Sequence, residues 1–319
     1  MNPPNPGAQA RSGRLRAVIH AITDSRPSNF RGILYMLAAT LLFSVMGITA
    51  RYVSERIHPF EVVFFRLSVG FVLLLPLVAS HGLRHFRTER FGLHLLRAVA
   101  HVVEMLIYFT GLVMIQYAQV QALTFTTPLF AALLAVLVLR ERIHGRNVAA
   151  LVIGFLGAMI VIRPGIVPLE AGSLLILVSA LGWAGVILIV KRLTQTDSSI
   201  TITAWMIVLM SPMALIPALF VWVWPTWTDL GWLVLTGITG TLGQLAVTQA
   251  FRVADTTTVL PFDFTKLIWA ALLGFLVFDE VPAIWTWIGG TAIFACGLYV
   301  ALRERRAPVA AGAAKSRGG

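Results

Sequence analysis

The sequence predicts an all-α integral membrane protein of ten transmembrane helices arranged as two inverted five-helix repeats. Three observations carry this prediction. Hydrophobic residues make up 58% of the 319 and charged residues only 12%, where a water-facing domain carries roughly 25% charged residues. The apolar residues fall in runs about 20 long without two-residue alternation, which is the length and pattern of a membrane-spanning helix. The first half of the chain also recurs in the second at a spacing of 140 residues. Lipid offers backbone N–H and C=O groups no partner, so runs of this kind must satisfy them internally as helices.

The segments run approximately Gly32–Tyr52, Phe60–Ser80, Leu95–Ile115, Ala118–Leu139 and Val148–Ile162, then Gly172–Val190, Ile200–Val223, Leu230–Gln249, Thr256–Phe278 and Ala283–Leu302. Residues 1–31 read as a cytosolic N-terminal tail, polar and bearing Arg11, Arg14, Arg16, Arg26 and Arg31, with no secretory apolar core. Residues 32–164 form the first repeat and 171–303 the second; the Ala- and Gly-rich end, 304–319, is expected to be disordered. The only cysteine, Cys296, lies in an apolar run, so no intrachain disulfide forms.

Net charge is +11, but the basic residues sit in tails and short loops between apolar runs rather than on one face. That distribution sets membrane topology and excludes a nucleic-acid-binding surface. With the N-terminus inside, 19 Lys and Arg fall on the inner side and three (Arg51, Arg56, Arg163) on the outer. The positive-inside rule therefore puts both termini in the cytoplasm of a multi-pass protein of the cell (inner) membrane.

Under the 140-residue shift Gly32 meets Gly172, Leu34 meets Leu174, Leu37 meets Leu177, Leu41 meets Leu181, Phe43 meets Trp183 and Arg51 meets Lys191. Glu141 and Glu280, each near the end of its half, lie 139 residues apart. Five helices per repeat is an odd number, so the halves cross the membrane in opposite senses. Inverted repeats with a site near the midplane are the architecture of many secondary transporters.

Four stretches carry a family resemblance: HPFEVVFFR (58–66), YAQVQALTFTTPLFAALLAVLVLRERI (117–143), GFLGAMIVIRPG (154–165) and VLPFDFTKLIWAALLGFLVFDEVP (259–282). Together, in order and spacing, they resemble the EamA family of the drug/metabolite transporter superfamily over roughly residues 30 to 304. The resemblance implies a ten-helix carrier with a central cavity lined mainly by helices 1, 3, 4, 6, 8 and 9. It implies as cargo a small organic metabolite (amino-acid-like, cofactor-like or another mixed-charge solute). The second-half wording is like that of members that take up riboflavin or S-adenosylmethionine. Pro128 aligns with Leu267 rather than with Pro261, so the sequence gives no ground for a symmetric pair of broken helices.

Ionisable groups at membrane depth are costly and mark candidate sites. Arg97, His101 and Glu104 fall at i, i+4 and i+7, within about 60° of one another on one helix face, and Tyr108 continues the stripe. Glu104 is predicted roughly 14 Å from the inner end at 1.5 Å per residue, near the midplane. It is read as binding a cationic group or a coupling proton beside His101, against a packing cluster in which His101 and Arg97 merely satisfy it. Arg97 is expected to snorkel to the inner interface. Asp263 and Lys266 are helix neighbours, equally a structural pair or substrate contacts. Gln244 meets Glu104 under the repeat shift, and Trp183 offers an aromatic face for cargo or for packing. The family position of Arg66 implies a gating or structural ion pair, with Glu61 as partner. Pro128 marks a place where the fourth helix opens its hydrogen bonding.

The function expected is a secondary transporter working by alternating access, its two halves rocking about a central site. The partners expected are a small-molecule solute, a coupling proton and the lipid bilayer, with no cofactor, no metal and no nucleic acid, the chain acting as monomer or homodimer. The competing classes are an intramembrane enzyme acting on lipid and a non-transporting receptor or assembly protein. The sequence holds no HExxH, GxSxG or GxxxxGK[ST] motif for enzyme chemistry.

Overall fold

A computed structural model describes residues 29–81, 88–139, 145–163, 166, 170–193, 196–197, 199–254 and 260–304. The predicted tails lie outside these residues, although the first helix already begins at Asn29; Glu141 also lies outside them. The described chain is helical without strands. Its helices are α1 (Asn29–Val53), α2 (Pro59–His81), α3 (Phe91–Leu112), α4 (Tyr117–Thr124), α5 (Thr127–Leu139), α6 (Gly145–Ile162), α7 (Ala171–Leu193), α8 (Ser199–Leu219), α9 (Trp227–Val253), α10 (Thr265–Phe278) and α11 (Ile284–Glu304). A short 3-10 turn, Leu260–Phe264, leads into α10.

Four of these helices are long and apolar enough to cross a membrane by length and composition: Phe30–Val53, Phe91–Leu112, Ala171–Val190 and Trp227–Ala250. Shorter apolar stretches cover Val152–Ile162, Val208–Leu219 and Ile284–Cys296. Part of the shortfall from ten has a local cause. The fourth predicted segment is two helices, α4 and α5, and the ninth is a 3-10 turn followed by α10.

The break between α4 and α5 falls where Pro128 lacks an N–H and its ring crowds the preceding turn. Thr126 Oγ1 donates to the carbonyl of Leu123 at 2.7 Å. At the repeat-equivalent position, 139 residues on, Thr265 Oγ1 donates to the carbonyl of Phe262 at 2.7 Å. Both repeats are therefore interrupted at the same place, although only one carries proline there. The shared device is a threonine whose hydroxyl donates to the carbonyl three residues back, across the break.

The repeats do not pack as separate halves. α1 lies along α9 and α10, with α2 joining α9; the counterpart group sets α7 along α5 and α3, with α8 joining α3. These two groups are exchanged by the repeat relation, and each draws helices from both halves. They meet where α2 packs on α8 and where α4 packs on α10. Beside them α6 and α11, also repeat partners, pack on each other. Each packing group therefore mixes helices from the two halves.

The α6–α11 crossing is set by glycine. A Cβ placed on Gly289 would stand 2.5 Å from the carbonyl oxygen of Gly157 and 2.6 Å from Val161 Cγ2. Small residues let helix backbones approach where lipid supplies no hydrophobic drive between helices. Gly289→Val is expected to cost about 1–3 kcal/mol by overpacking, read as a lowered thermal midpoint of the purified protein. An unchanged midpoint would show that the crossing yields.

Candidate functional site

Between the two packing units lies a layer of polar side chains in otherwise apolar surroundings. α2 supplies Arg66, and α3 supplies His101, Glu104 and Tyr108 from the face the sequence assigns them. α4 adds Gln121 and α7 adds Trp183. Arg66 Nε donates to Met46 Sδ on α1 and its Nη1 to Met105 Sδ on α3, both at 3.3 Å. Its electrostatic neighbours are Glu104 and Tyr108. Glu104 stands against bare backbone on α7, where a Cβ on Gly182 would lie 3.3 Å from its Cβ and Cγ. Its Oε2 is 3.8 Å from His101 Nε2, too far for a hydrogen bond but close enough for charge to act. The His101 ring sits 4.8 Å from that of Trp183, tilted by 42°. Tyr108 Oη accepts from Gln121 Nε2 at 3.4 Å.

A second group forms at the start of α10. Lys266 Nζ lies 2.5 Å from Asp263 Oδ1, and the same ammonium lies 5.5 Å over the ring of Phe43. Thr265 and Thr40 share a hydroxyl hydrogen bond of 2.8 Å beside it. Phe43 and Trp183 are repeat partners, so each unit presents an aromatic ring next to a basic side chain.

Three sequence-based expectations need correction or completion. Glu61 is not the partner of Arg66. Five residues apart on a helix, the two point about 140° from each other; Glu61 is fully buried and its Oε1 accepts from the Val223 N–H at 2.9 Å. Arg97 does not snorkel. It is 7% exposed, its Nη1 donating to the Ile202 carbonyl and its Nη2 to Met206 Sδ, each at 3.3 Å. Gln244, the repeat counterpart of Glu104 and a candidate cargo contact, is exposed on α9, one turn from Gly240, and its carbonyl accepts from Thr248.

Sequence reasoning missed the contacts that tie the ends of the bundle. At one end Arg51 pairs with Glu280 at 2.5 Å and donates to the Ile115 carbonyl at 2.9 Å. Glu280 in turn accepts from the Tyr117 N–H at 3.0 Å. This end also holds Arg56 to Asp229 at 2.8 Å. At the opposite end His94 Nε2 and Thr88 Oγ1 meet Asp197 at 2.7 and 2.8 Å. Burial alone would push the Asp197 carboxyl up, but these hydrogen bonds hold it below its ordinary value. Arg51 and Glu280 were visible as repeat landmarks, yet spacing alone cannot bring the end of α1 to the end of α10.

A helical chain with long apolar helices and partnered charges at depth is a multi-pass membrane protein. The EamA-like transporter family model matches residues 30–163 and again 170–303, and the chain belongs to that family. It is similar to a riboflavin transporter of Vibrio cholerae serotype O1, 35% identical over 269 residues that cover 82% of this chain and 90% of that protein. A riboflavin transporter of Rhizobium johnstonii is 32% identical over 86% of this chain and 92% of its own length. An S-adenosylmethionine uptake transporter of Rickettsia prowazekii is 25% identical over 89% and 97%. The fold matches a solved crystal structure with a TM-score of 0.59 at 18% identity, covering 88% of this chain and 99% of that one. These relatives make the chain a transporter of small metabolites.

Removing Glu104 strands the Arg66 guanidinium at depth. Glu104→Ala, which removes a carboxylate from the electrostatic neighbourhood of Arg66, is expected to lower the thermal midpoint, and the double variant with Arg66→Met to recover part of that loss. Thermal unfolding of the three variants checks this; equal losses in the single and double variants would show the two groups to be uncoupled.

Proposed function

We propose that the chain is a secondary transporter that moves a small, planar, polar metabolite of the flavin kind across the cell (inner) membrane by alternating access. The observation that carries this reading is the layer of Arg66, Glu104, Tyr108 and His101 built from both packing units at their meeting surface. A cargo seated there touches both units, so its binding and release couple to their relative movement. Ten spans with both termini cytoplasmic complete the proposal, supported by the charge bias of the loops. In that orientation the Glu280 end faces outward. The hydrogen bonds from Tyr117 N–H to Glu280 and from Arg51 to the Ile115 carbonyl then join the two units at the outer end.

The cargo class follows from charge and shape. Arg66 is neighboured by Glu104, and Lys266 is paired with Asp263, so the layer offers little net charge to a cation. That favours an uncharged ring system over a sulfonium. Trp183 and His101 supply an aromatic wall, and Tyr108 and Gln121 supply hydrogen-bonding groups. The relatives named as riboflavin transporters are 30–35% identical to this chain and those named for S-adenosylmethionine 25–26%, which leans the same way. Glu104 beside His101 is the proposed carrier of a coupling proton.

Expression in a riboflavin-auxotrophic bacterium is expected to restore growth at low external riboflavin, with labelled uptake that saturates and is competed by unlabelled riboflavin. Absence of saturable uptake would remove flavin as cargo. Glu104→Gln is expected to abolish the pH dependence of that uptake, and transport by this variant with an unchanged pH profile would end the proton-coupling proposal.

A further inference from the structure

Arg66 carries a full charge in the polar layer, yet among the described residues its hydrogen bonds go to sulfur alone. A guanidinium carries five N–H donors in a fixed planar fork. Among the described residues its acceptors are two thioether sulfurs, Met46 Sδ and Met105 Sδ, each at 3.3 Å. Thioethers are weak acceptors, and methionine side chains are flexible and readily displaced. A structural arginine normally takes carbonyl or carboxylate oxygens, as Arg51 does with Glu280 and Ile115 at the end of the bundle. Among the described residues the carboxylate near Arg66, that of Glu104, acts on it as an electrostatic neighbour and makes no hydrogen bond to it.

The surroundings are shaped for this guanidinium. On α9 a Cβ at Gly240 would stand 3.1 Å from Arg66 Nε and 2.8 Å from Met46 Sδ, so glycine keeps the space the fork occupies. Met46 belongs to the same packing unit as Arg66, whereas Met105 and Glu104 belong to the other. The fork thus spans the surface along which the units must separate, held on both sides by contacts that give way easily.

Resting on the transport reading above, we propose that Arg66 is the specificity-determining residue: its guanidinium, freed from the two sulfurs, donates to a planar, neutral carbonyl edge on the cargo. The dione edge of a flavin ring is such a group. Glu104 balances the charge, so a neutral acceptor is preferred to an anionic one, and the planar fork matches adjacent acceptor atoms where an ammonium would not. The family resemblance implies a gating or structural ion pair of Arg66 with Glu61, and the α2 geometry that separates those two residues leaves the fork available.

The test uses the full-length protein in lipid nanodiscs, with riboflavin and the carbonyl-free tricycle phenazine as probes. Binding is read by tryptophan quenching against empty nanodiscs, with thermal midpoint as the check on folding. Arg66→Gln is expected to weaken riboflavin by about tenfold or more, the scale of a lost charged hydrogen bond, and to leave phenazine within about twofold. Arg66→Lys is expected to fall between, since it keeps the charge and loses the fork. Gly240→Ala, which retains arginine and intrudes on it, is expected to give the same selective loss and decides the matter if Arg66→Gln does not fold. Equal weakening of both probes, or of neither, in folded variants overturns the assignment. Riboflavin binding to the wild type that Arg66→Gln leaves intact overturns the role of Arg66 alone; a wild type that binds neither probe overturns the flavin reading together with it.

Discussion

A guanidinium at the middle of an apolar bundle has to be accommodated by the residues around it, because lipid supplies neither acceptors nor counter-charge. Arg66 draws α1, α3 and α9 into one layer through Met46, Met105, Glu104 and the gap at Gly240. The remaining buried charges follow the same rule by different means. Arg97 takes a backbone carbonyl and a sulfur, Lys266 takes Asp263, and Arg51 takes Glu280. Among the described residues, Arg66 is the charged side chain whose hydrogen-bonded partners are all thioethers.

The arrangement of helices gives this layer its mechanical meaning. α1, α2, α9 and α10 form one unit and α3, α5, α7 and α8 the other, so in the proposed mechanism Arg66, with Met46 on one side and Met105 on the other, lies where the units meet. At the Glu280 end the units are joined by the Tyr117 N–H and the Ile115 carbonyl. The matching interruptions at Thr126 and Thr265 supply one bend in each unit, with equal hydroxyl–carbonyl distances. Each hydroxyl donates to the carbonyl three residues back, across the break.

Much of this was legible in the sequence, and the limits have physical causes. Apolar run length pointed to the helices, and the 140-residue shift to the two repeats, because both are one-dimensional signals. The stripe of His101, Glu104 and Tyr108 was readable because helical spacing puts all three on one face. The same spacing argued against pairing Arg66 with Glu61, which the family motif had suggested. Met46, Met105 and Gln121 carried no signal, since a methionine in an apolar run looks like packing and a lone glutamine has no sequence-visible partner. The mixing of helices between halves, and with it the exposed position of Gln244, is a tertiary fact. Repeat alignment pairs residues by equivalence, and equivalence does not imply contact.

The central claim is that cargo exchanges across a site that opens alternately to the two sides. Counterflow tests it most directly. Proteoliposomes holding the purified protein are loaded with unlabelled riboflavin and diluted into a trace of labelled riboflavin. Alternating access requires the label to accumulate transiently above its external concentration and then to decay as the gradient runs down. Label that enters only to equilibrium, at a rate proportional to its concentration and indifferent to the internal load, would contradict a carrier mechanism for that cargo.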